Sequence, residues 1–332
     1  MDEKTIYFNG LDGATGTYSL TPMPLYRLAR LIRGEAQEPD LGGKGVKAGI
    51  DTRELANVGW GVVFTHDTPP GVREALAPLL EHRRGQAEAV AEGRYQELTY
   101  FPGESKLRFL ARYGVGPGFV DPDQMPYYLL LVGGPEAIPF AFQYQLGVQY
   151  AVGRIAFDTL DEYARYAAAA TAADGRAHRS APRAVLFGVE NPDDPLTRLT
   201  VDHLVYPLAR RLGDRLAAWR VETVVREQAT KARLAELLGG EQTPDLLLTA
   251  SHGVCFRAGD PSQMPHQGAL VCSDWPGPKA WRGRLREDHF FSGDDLGENA
   301  RLEGLVSCHF ACFTAGTPAS APSIAAATPR LR

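Results

Sequence analysis

Asp245-Leu246-Leu247-Leu248-Thr249-Ala250-Ser251-His252-Gly253 and, further on, Gly304-Leu305-Val306-Ser307-Cys308-His309-Phe310-Ala311-Cys312-Phe313-Thr314-Ala315-Gly316-Thr317-Pro318 decide the fold. Each is a short apolar run, flanked by Pro244 or by glycine, that ends in a reactive side chain. Such runs read as buried strands of an α/β sheet, being too short for independent helices. In these sheets ligands and chemistry collect at the carboxyl ends of the strands, which is where His252 and Cys312 fall. Two neighbouring parallel strands are expected to deliver the imidazole and the thiol into one solvent-open crevice.

Working back from this pair, strand and helix signals alternate. Ala184–Gly188 predicts a strand, Leu199–Trp219 an amphipathic helix, Val221–Val225 a strand and Thr230–Leu238 a short helix closed by Gly239-Gly240. Gln267–Cys272 predicts another short strand, and Pro276–Arg286 a surface loop. Earlier in the chain, Trp60–Phe64 and Tyr127–Val132 predict strands, Pro70–Glu92 and Asp161–Thr171 helices, and Ile138–Phe140 and Gly147–Ile155 extended chain. A further helix is expected over Pro24–Arg33. The alternation implies parallel sheets covered on both faces. Gly133-Gly134-Pro135 is a strand-ending turn, since neither Gly-x-Gly-x-x-Gly nor Gly-Lys-Ser/Thr follows. The expected division is 1–125, an amino-terminal region of unclear role that is regulatory, recruits a partner or forms part of the first sheet; 126–175, the rest of an amino-terminal α/β subdomain; 176–318, a catalytic subdomain; and 319–332, an Ala/Pro-rich tail.

Composition bounds the function. The 332 residues are 44% hydrophobic and 23% charged, enough for one large or two medium cores. With 35 Lys and Arg against 40 Asp and Glu the net charge is −5, and no basic block stands out, which argues against nucleic acid as partner. No signal-like start and no long apolar run implies a membrane, and a cytoplasmic protein is expected. Four cysteines, Cys255, Cys272, Cys308 and Cys312, suit free thiols in a reducing compartment better than a disulfide framework.

A cysteine attacks a carbonyl as its thiolate, and a nearby histidine supplies the base and later protonates the leaving group. A glycine after each lets main-chain N–H groups approach an oxyanion. Ser251-His252-Gly253, Gly268-Ala269-Leu270 with Trp275 and Gly277, Phe291–Leu296 and Phe310-Ala311-Cys312-Phe313-Thr314-Ala315-Gly316-Thr317-Pro318 together resemble the gingipain-like cysteine peptidases of the caspase and haemoglobinase clan, relatives of the CHAT proteases. The His252-to-Cys312 interval is comparable with the roughly 50 residues of caspases. Tyr128–Phe140 and Val148–Asp158 resemble the amino-terminal subdomain of the same family. The resemblance implies a caspase-like parallel sheet sandwiched by helices, with a second related amino-terminal α/β subdomain. It implies a cysteine endopeptidase with His252 as base and acid, Cys312 as nucleophile, the Gly253 and Cys312 main-chain N–H groups at the oxyanion, and no cofactor. The substrate is a protein or peptide, cut after one preferred side chain. Asp193, Asp194 and Asp202 stand, by position, as acids of the specificity pocket. Bacterial relatives act in regulation and defence.

Other readings remain open at this level. Cys312 could be a buried structural thiol. The four cysteines with nearby histidines could hold zinc, although only Cys308 and Cys312 approach ligand spacing. Cys308 reads as core, and His309 as a hydrogen-bonding residue on the opposite sheet face. Arg282, Arg284 and Arg286 form either a solvated loop or a self-cleavage site. Family members usually continue with further sheet after the cysteine, where this chain has the tail 319–332. A catalytically inactive caspase-like scaffold is therefore the alternative, and a thiol hydrolase or transferase acting on another acyl group a third.

Overall fold

The computed structural model describes residues 5–6, 10–12, 14–17, 23–24, 45–47, 49–175, 181–240, 242–257, 259–297 and 300–314. The chain is α/β with mostly parallel sheets. It divides into two compact units, one formed by Met1–Ala36 with Ala177–Arg332 and the other by Gln37–Arg176. The amino-terminal stretch contributes three short strands, β1 (Thr5–Ile6), β2 (Gly10–Asp12) and β3 (Met23–Pro24). β1 and β3 pair antiparallel. Pro24, expected to start a helix, lies in β3; residues 25–33 of that expected helix, and everything after Thr314, fall outside the described residues.

The Gln37–Arg176 unit is built on β4 (Trp60–Thr65), β5 (Tyr95–Tyr100), β6 (Tyr128–Val132) and β7 (Ala151–Ile155), all parallel, in the order β5-β4-β6-β7. The period-two alternation of β4 sends Val62 and Phe64 to one face and Val63 to the other. The first face packs on Leu76 and Leu79 of α1 (Pro70–Ala87). The second packs on Phe109 of α2 (Lys106–Arg112) and Phe142 of α3 (Phe140–Gly147). α4 (Leu160–Asp174) joins α1 through Tyr163 and Ala167, and starts from a Thr159/Glu162 capping box that satisfies orphan N–H groups. Burial on both faces is why every residue of β4 is apolar, small or hydroxylic. Of the roles left open for residues 1–125, Trp60–Tyr100 takes that of part of the first sheet: β4 and β5 belong to the same sheet as β6 and β7, with Trp60 standing between Tyr95 and Tyr128 in register. α3 also corrects the extended chain expected at Phe140.

The other unit repeats the plan with β8 (Arg183–Gly188), β9 (Arg220–Val225), β10 (Leu246–Ala250), three strands of a further sheet, β11 (Gly253–Cys255), β12 (Leu270–Val271) and β13 (Phe290–Phe291), and finally β14 (Val306–Phe310). The parallel sheet runs β14-β10-β8-β9. Numbered by appearance, both parallel sheets have the order second, first, third, fourth, a doubly wound arrangement whose crevice opens between first and third strands. One face of the second sheet packs Val185 and Phe187 on Leu234 and Leu237 of the Lys231–Leu237 helix. The other packs Leu186 and Ala250 on a long helix that starts at α5 (Pro195–Thr200), passes a π-turn at Val201–Val205 and continues as α6 (Tyr206–Arg215). Burying a side chain such as Phe187, 1% exposed, contributes about 1.5–3 kcal/mol. The chain leaves β10 and crosses at once into the smaller sheet β13-β12-β11-β2, in which β2 is parallel and β12 antiparallel to β11. Among the described residues no helix is long and apolar enough to cross a membrane.

Candidate active site

Register aligns the ends of the two strands that carry His252 and Cys312. β10 and β14 are adjacent and parallel, with Ala250 opposite Phe310 as their last paired row. His252 and Cys312 each lie two positions beyond that row, and the Ser251 N–H donates to the Phe310 carbonyl at 3.2 Å. The same offset in the first sheet, beyond the Val132/Ile155 row, falls on Gly134 and Phe157. Only the second sheet therefore carries an imidazole and a thiol at these positions. Among the described residues the three non-glycine positive φ angles, at Asp193 (57°), Arg226 (57°) and Phe313 (63°), all follow strands of this sheet, at the carboxyl ends of β8, β9 and β14. Such strain persists where surrounding structure over-determines it, and it clusters at working sites.

Gly253 fixes how close the strand ends come. A Cβ placed on it would lie 1.7 Å from the Cys312 carbonyl oxygen and 3.1 Å from the Cys312 nitrogen. A Cβ on Gly268 would lie 2.5 Å from the Phe313 oxygen. The Cys312–Thr314 segment thus lies directly on the β11–β12 hairpin, and these two glycines make room for it. Gly253 is flanked by Gly10 of β2 and Leu270 of β12, so it sits inside a sheet.

His252 is held at three points, two on the ring and one on the main chain. Its Nε2 lies 2.7 Å from Asp194 Oδ2, the Trp275 ring packs edge-on at 6.3 Å between centroids, and the His252 carbonyl accepts from the Val271 N–H at 2.9 Å. Asp194 is the N-cap of α5: its Oδ1 accepts from the Leu196 N–H at 3.1 Å, with Pro195 in the first helical turn. The side chains of His252 and Asp194 are both 0% exposed. This corrects two expectations. His252 does not face a solvent-open crevice, because the chain continues from it straight into β11 instead of leaving the sheet. Asp194 is the partner of His252, 58 residues away in sequence, and not a free acid of a specificity pocket.

The other two pocket acids are each neutralised by a cation. Asp193 holds Lys279 at 2.8 Å, and Asp202 lies 3.6 Å from Arg226, which also bonds Glu190 at 2.7 Å. A cavity of about 410 Å³ opens beside them, lined by Glu190, Asn191, Asp193, Asp194, Arg198 and Arg226. Its mixed charge selects no one sign of ligand. Of the arginine cluster, Arg284 is held by Asp260 and Ser262, and Arg286 by Asp288.

The thiols differ. Cys272 is fully buried, and burial pushes its thiol far up, as suits an inert core residue. Cys308, expected in the core, is exposed because β14 is an edge strand with all five residues at the surface. His309 does hydrogen-bond, through Nδ1 to Thr249 Oγ1 at 2.8 Å. Cys312 is half-buried; burial and, after it, the neighbouring Cys255 raise its thiol above the ordinary range. No group of three or more His, Cys, Asp or Glu able to hold a metal occurs among the described residues.

Comparison with protein-family models, curated proteins and solved structures finds no match. The roles of these residues rest on their geometry. What the arrangement can do chemically is nucleophilic acyl transfer, provided that the thiol is deprotonated. A raised thiol pKa makes a direct prediction. Alkylation of native Cys312 by iodoacetamide is expected to be slow at pH 7 and to climb about tenfold per pH unit to beyond pH 9. Peptide mapping against exposed Cys308 as internal reference measures this. Equal rates at pH 7 would contradict the closed geometry.

The sequence signal for Asp194 was present in Asp194-Pro195, an N-cap followed by proline at the first helical position. Reading the helix from Leu199 by periodicity alone passes over it. Asn191 and Thr197, which bond one another, Thr197 also bonding Asp194, carry no local motif, and Trp275 enters only through the resemblance.

Proposed function

We propose that this chain is a cysteine endopeptidase of the gingipain-like, caspase-clan type, seen in a closed resting state. Cys312 is the nucleophile, His252 the base and acid, and Asp194 the residue that orients the imidazole. The observation that carries this reading is the equal offset of His252 and Cys312 beyond the aligned ends of two adjacent parallel strands, with a buried carboxyl group at Nε2 of the ring.

In the proposed reaction the Cys312 proton passes to His252 as Sγ attacks the peptide carbonyl. The oxyanion is met by main-chain N–H groups of Cys312 and Gly253. His252 returns the proton to the leaving amine, the C–N bond breaks, and a thioester remains. Water, deprotonated by His252, attacks the thioester, and the Cys312 thiol leaves with its proton restored. Asp194 keeps the ring in one orientation throughout and stabilises the imidazolium. The caspase-like architecture, a protein or peptide substrate and a regulatory or defence role belong to this proposal by resemblance.

Full burial of His252 and the raised Cys312 thiol favour a second reading, an inactive scaffold. A peptide electrophile separates the two. On the peptidase reading, an acyloxymethyl-ketone peptide labels Cys312, and fluorogenic peptides with Arg, Lys or Asp before the cut are turned over by wild type and not by Cys312→Ala. Equal turnover by both proteins, or no labelling of Cys312 in any of the three series, favours the scaffold.

A further inference from the structure

We propose that Thr197 is the positioning residue of this site, the hydroxyl that aims the Asp194 carboxyl group at His252; its kinetic consequence rests on the peptidase reading above. Thr197 is 2% exposed and occupies the third position of α5. Its Oγ1 accepts from the Asn191 N–H at 3.0 Å and donates to Asp194 Oδ2 at 3.0 Å. Oδ2 is also the oxygen that faces His252 Nε2 at 2.7 Å. The other oxygen, Oδ1, is taken by the Leu196 N–H. The carboxyl plane is thus pinned at both ends by the first turn of its own helix, and the oxygen Thr197 holds is the one presented to the ring.

This is not what helix capping requires. In a capping box the third residue reaches back to the N-cap's backbone N–H, using Glu or Gln. Thr197 reaches the N-cap's side chain instead, at 3.0 Å, with the Asp194 main-chain carbonyl a longer second acceptor at 3.3 Å; neither bond satisfies an orphan N–H of the helix start. The donor sequence Asn191 N–H, Thr197 O–H, Asp194 Oδ2 runs in one direction, an arrangement in which each bond polarises the next. Asn191 is itself fixed, donating through Nδ2 to the carbonyls of Cys272 at 2.9 Å and Trp275 at 3.0 Å. Trp275 is the residue packed edge-on against His252, so the same buried network reaches the ring from both sides. Asp193, held at φ 57° immediately before the cap, sets the turn that brings Asn191 over Thr197.

The test uses the full chain and a readout that does not need catalysis: exchange of the His252 Nε2-bound proton, followed by nitrogen-edited NMR. Thr197→Val, which removes the hydroxyl and keeps the shape, is expected to speed that exchange at least about tenfold, and Thr197→Ser to hold it within about threefold of wild type. In an Asp194→Asn background Thr197→Val is expected to change nothing further, since it acts through that carboxyl group. If circular dichroism shows Thr197→Val to be unfolded, Thr197→Ala is compared in its place. Unchanged exchange in a folded variant lacking the hydroxyl, or an equal effect in the Asp194→Asn background, overturns the assignment. On peptide substrates, Thr197→Val is expected to lower kcat about 10- to 100-fold with KM within about twofold. A wild type that turns over no peptide sinks the peptidase reading, while the ring-proton measurement still decides the role of Thr197.

Discussion

On the proposed peptidase reading, Asp194→Asn is expected to lower kcat about 10²- to 10⁴-fold on whichever peptide proves the best substrate, because an amide cannot present an acceptor to His252 and to the helix at once. The Asp194 carboxyl group accepts from the Leu196 N–H on one oxygen and faces His252 Nε2 with the other. In the asparagine variant, an Oδ1 that keeps the cap turns Nδ2 towards the ring, donor against donor. The flipped amide satisfies the ring and abandons the cap. Keeping the cap sets Nδ2 against both His252 Nε2 and the Thr197 hydroxyl, which the ring relieves by taking its other tautomer, with Nε2 accepting and the proton on Nδ1; the flipped amide leaves the Leu196 N–H unmet, at about 1–3 kcal/mol. Either choice removes the carboxylate charge that stabilises the imidazolium, so the ring loses its partner while asparagine remains an acceptable N-cap. The expected signature is therefore a large fall in kcat, a KM within about twofold, and a modest loss of stability in urea melts. A variant as active as wild type would leave Asp194 a structural residue only.

How far the sequence anticipates this site depends on which contacts are local. The apolar runs ending at Ala250 and Phe310 are readable as strands, and their parallel pairing follows from the alternation of strand and helix. The burial of His252 is not readable, because a strand end followed by glycine looks like an exit to solvent. Here Gly253 opens β11 in a second sheet, so the backbone on either side of the imidazole is paired. The contact between Asp194 and His252 spans 58 residues and depends on β8 lying beside β10, which no local pattern encodes. α3, whose residues 141–146 stay unassigned between two stretches that read as extended, is hidden for a different reason. Phe142-Gln143-Tyr144-Gln145-Leu146 alternates apolar and polar, the period of a strand, yet only Phe142 and Leu146 are buried, at helical spacing. The alternation is incidental: Tyr144 is 54% exposed and stacks on Phe140. Membership of residues before 125 in the first sheet is one alternative among three from sequence, because β4, first in its sheet by sequence, is second in space and its neighbours are set by long-range pairing.

Gly253→Ala is expected to cost about 3 kcal/mol or more in denaturant unfolding. The added carbon would stand 1.7 Å from the Cys312 carbonyl oxygen, 2.7 Å from its carbon and 3.1 Å from its nitrogen, all backbone atoms that cannot rotate away. The backbone of Gly253 lies outside the left-handed region, so alanine meets no conformational penalty of its own and the effect is steric alone. Gly268 could not supply so clean a test, since its φ of 80° adds strain to the clash with Phe313. Gly85, inside α1 with nothing within 4 Å of its missing Cβ, is the control, and alanine there is expected to stabilise by about 0.5–1 kcal/mol. The clash has one relief, displacement of the Cys312–Thr314 segment from the hairpin. A displaced segment exposes the thiol and removes the burial that raises it, so alkylation of Cys312 at pH 7 is expected to be faster in the folded fraction of Gly253→Ala than in wild type. Loss of stability and gain of thiol reactivity then come from a single contact. A variant that unfolds at the wild-type denaturant concentration with unchanged Cys312 reactivity would mean that the cysteine does not rest on β11, and with that contact gone nothing holds it beside His252.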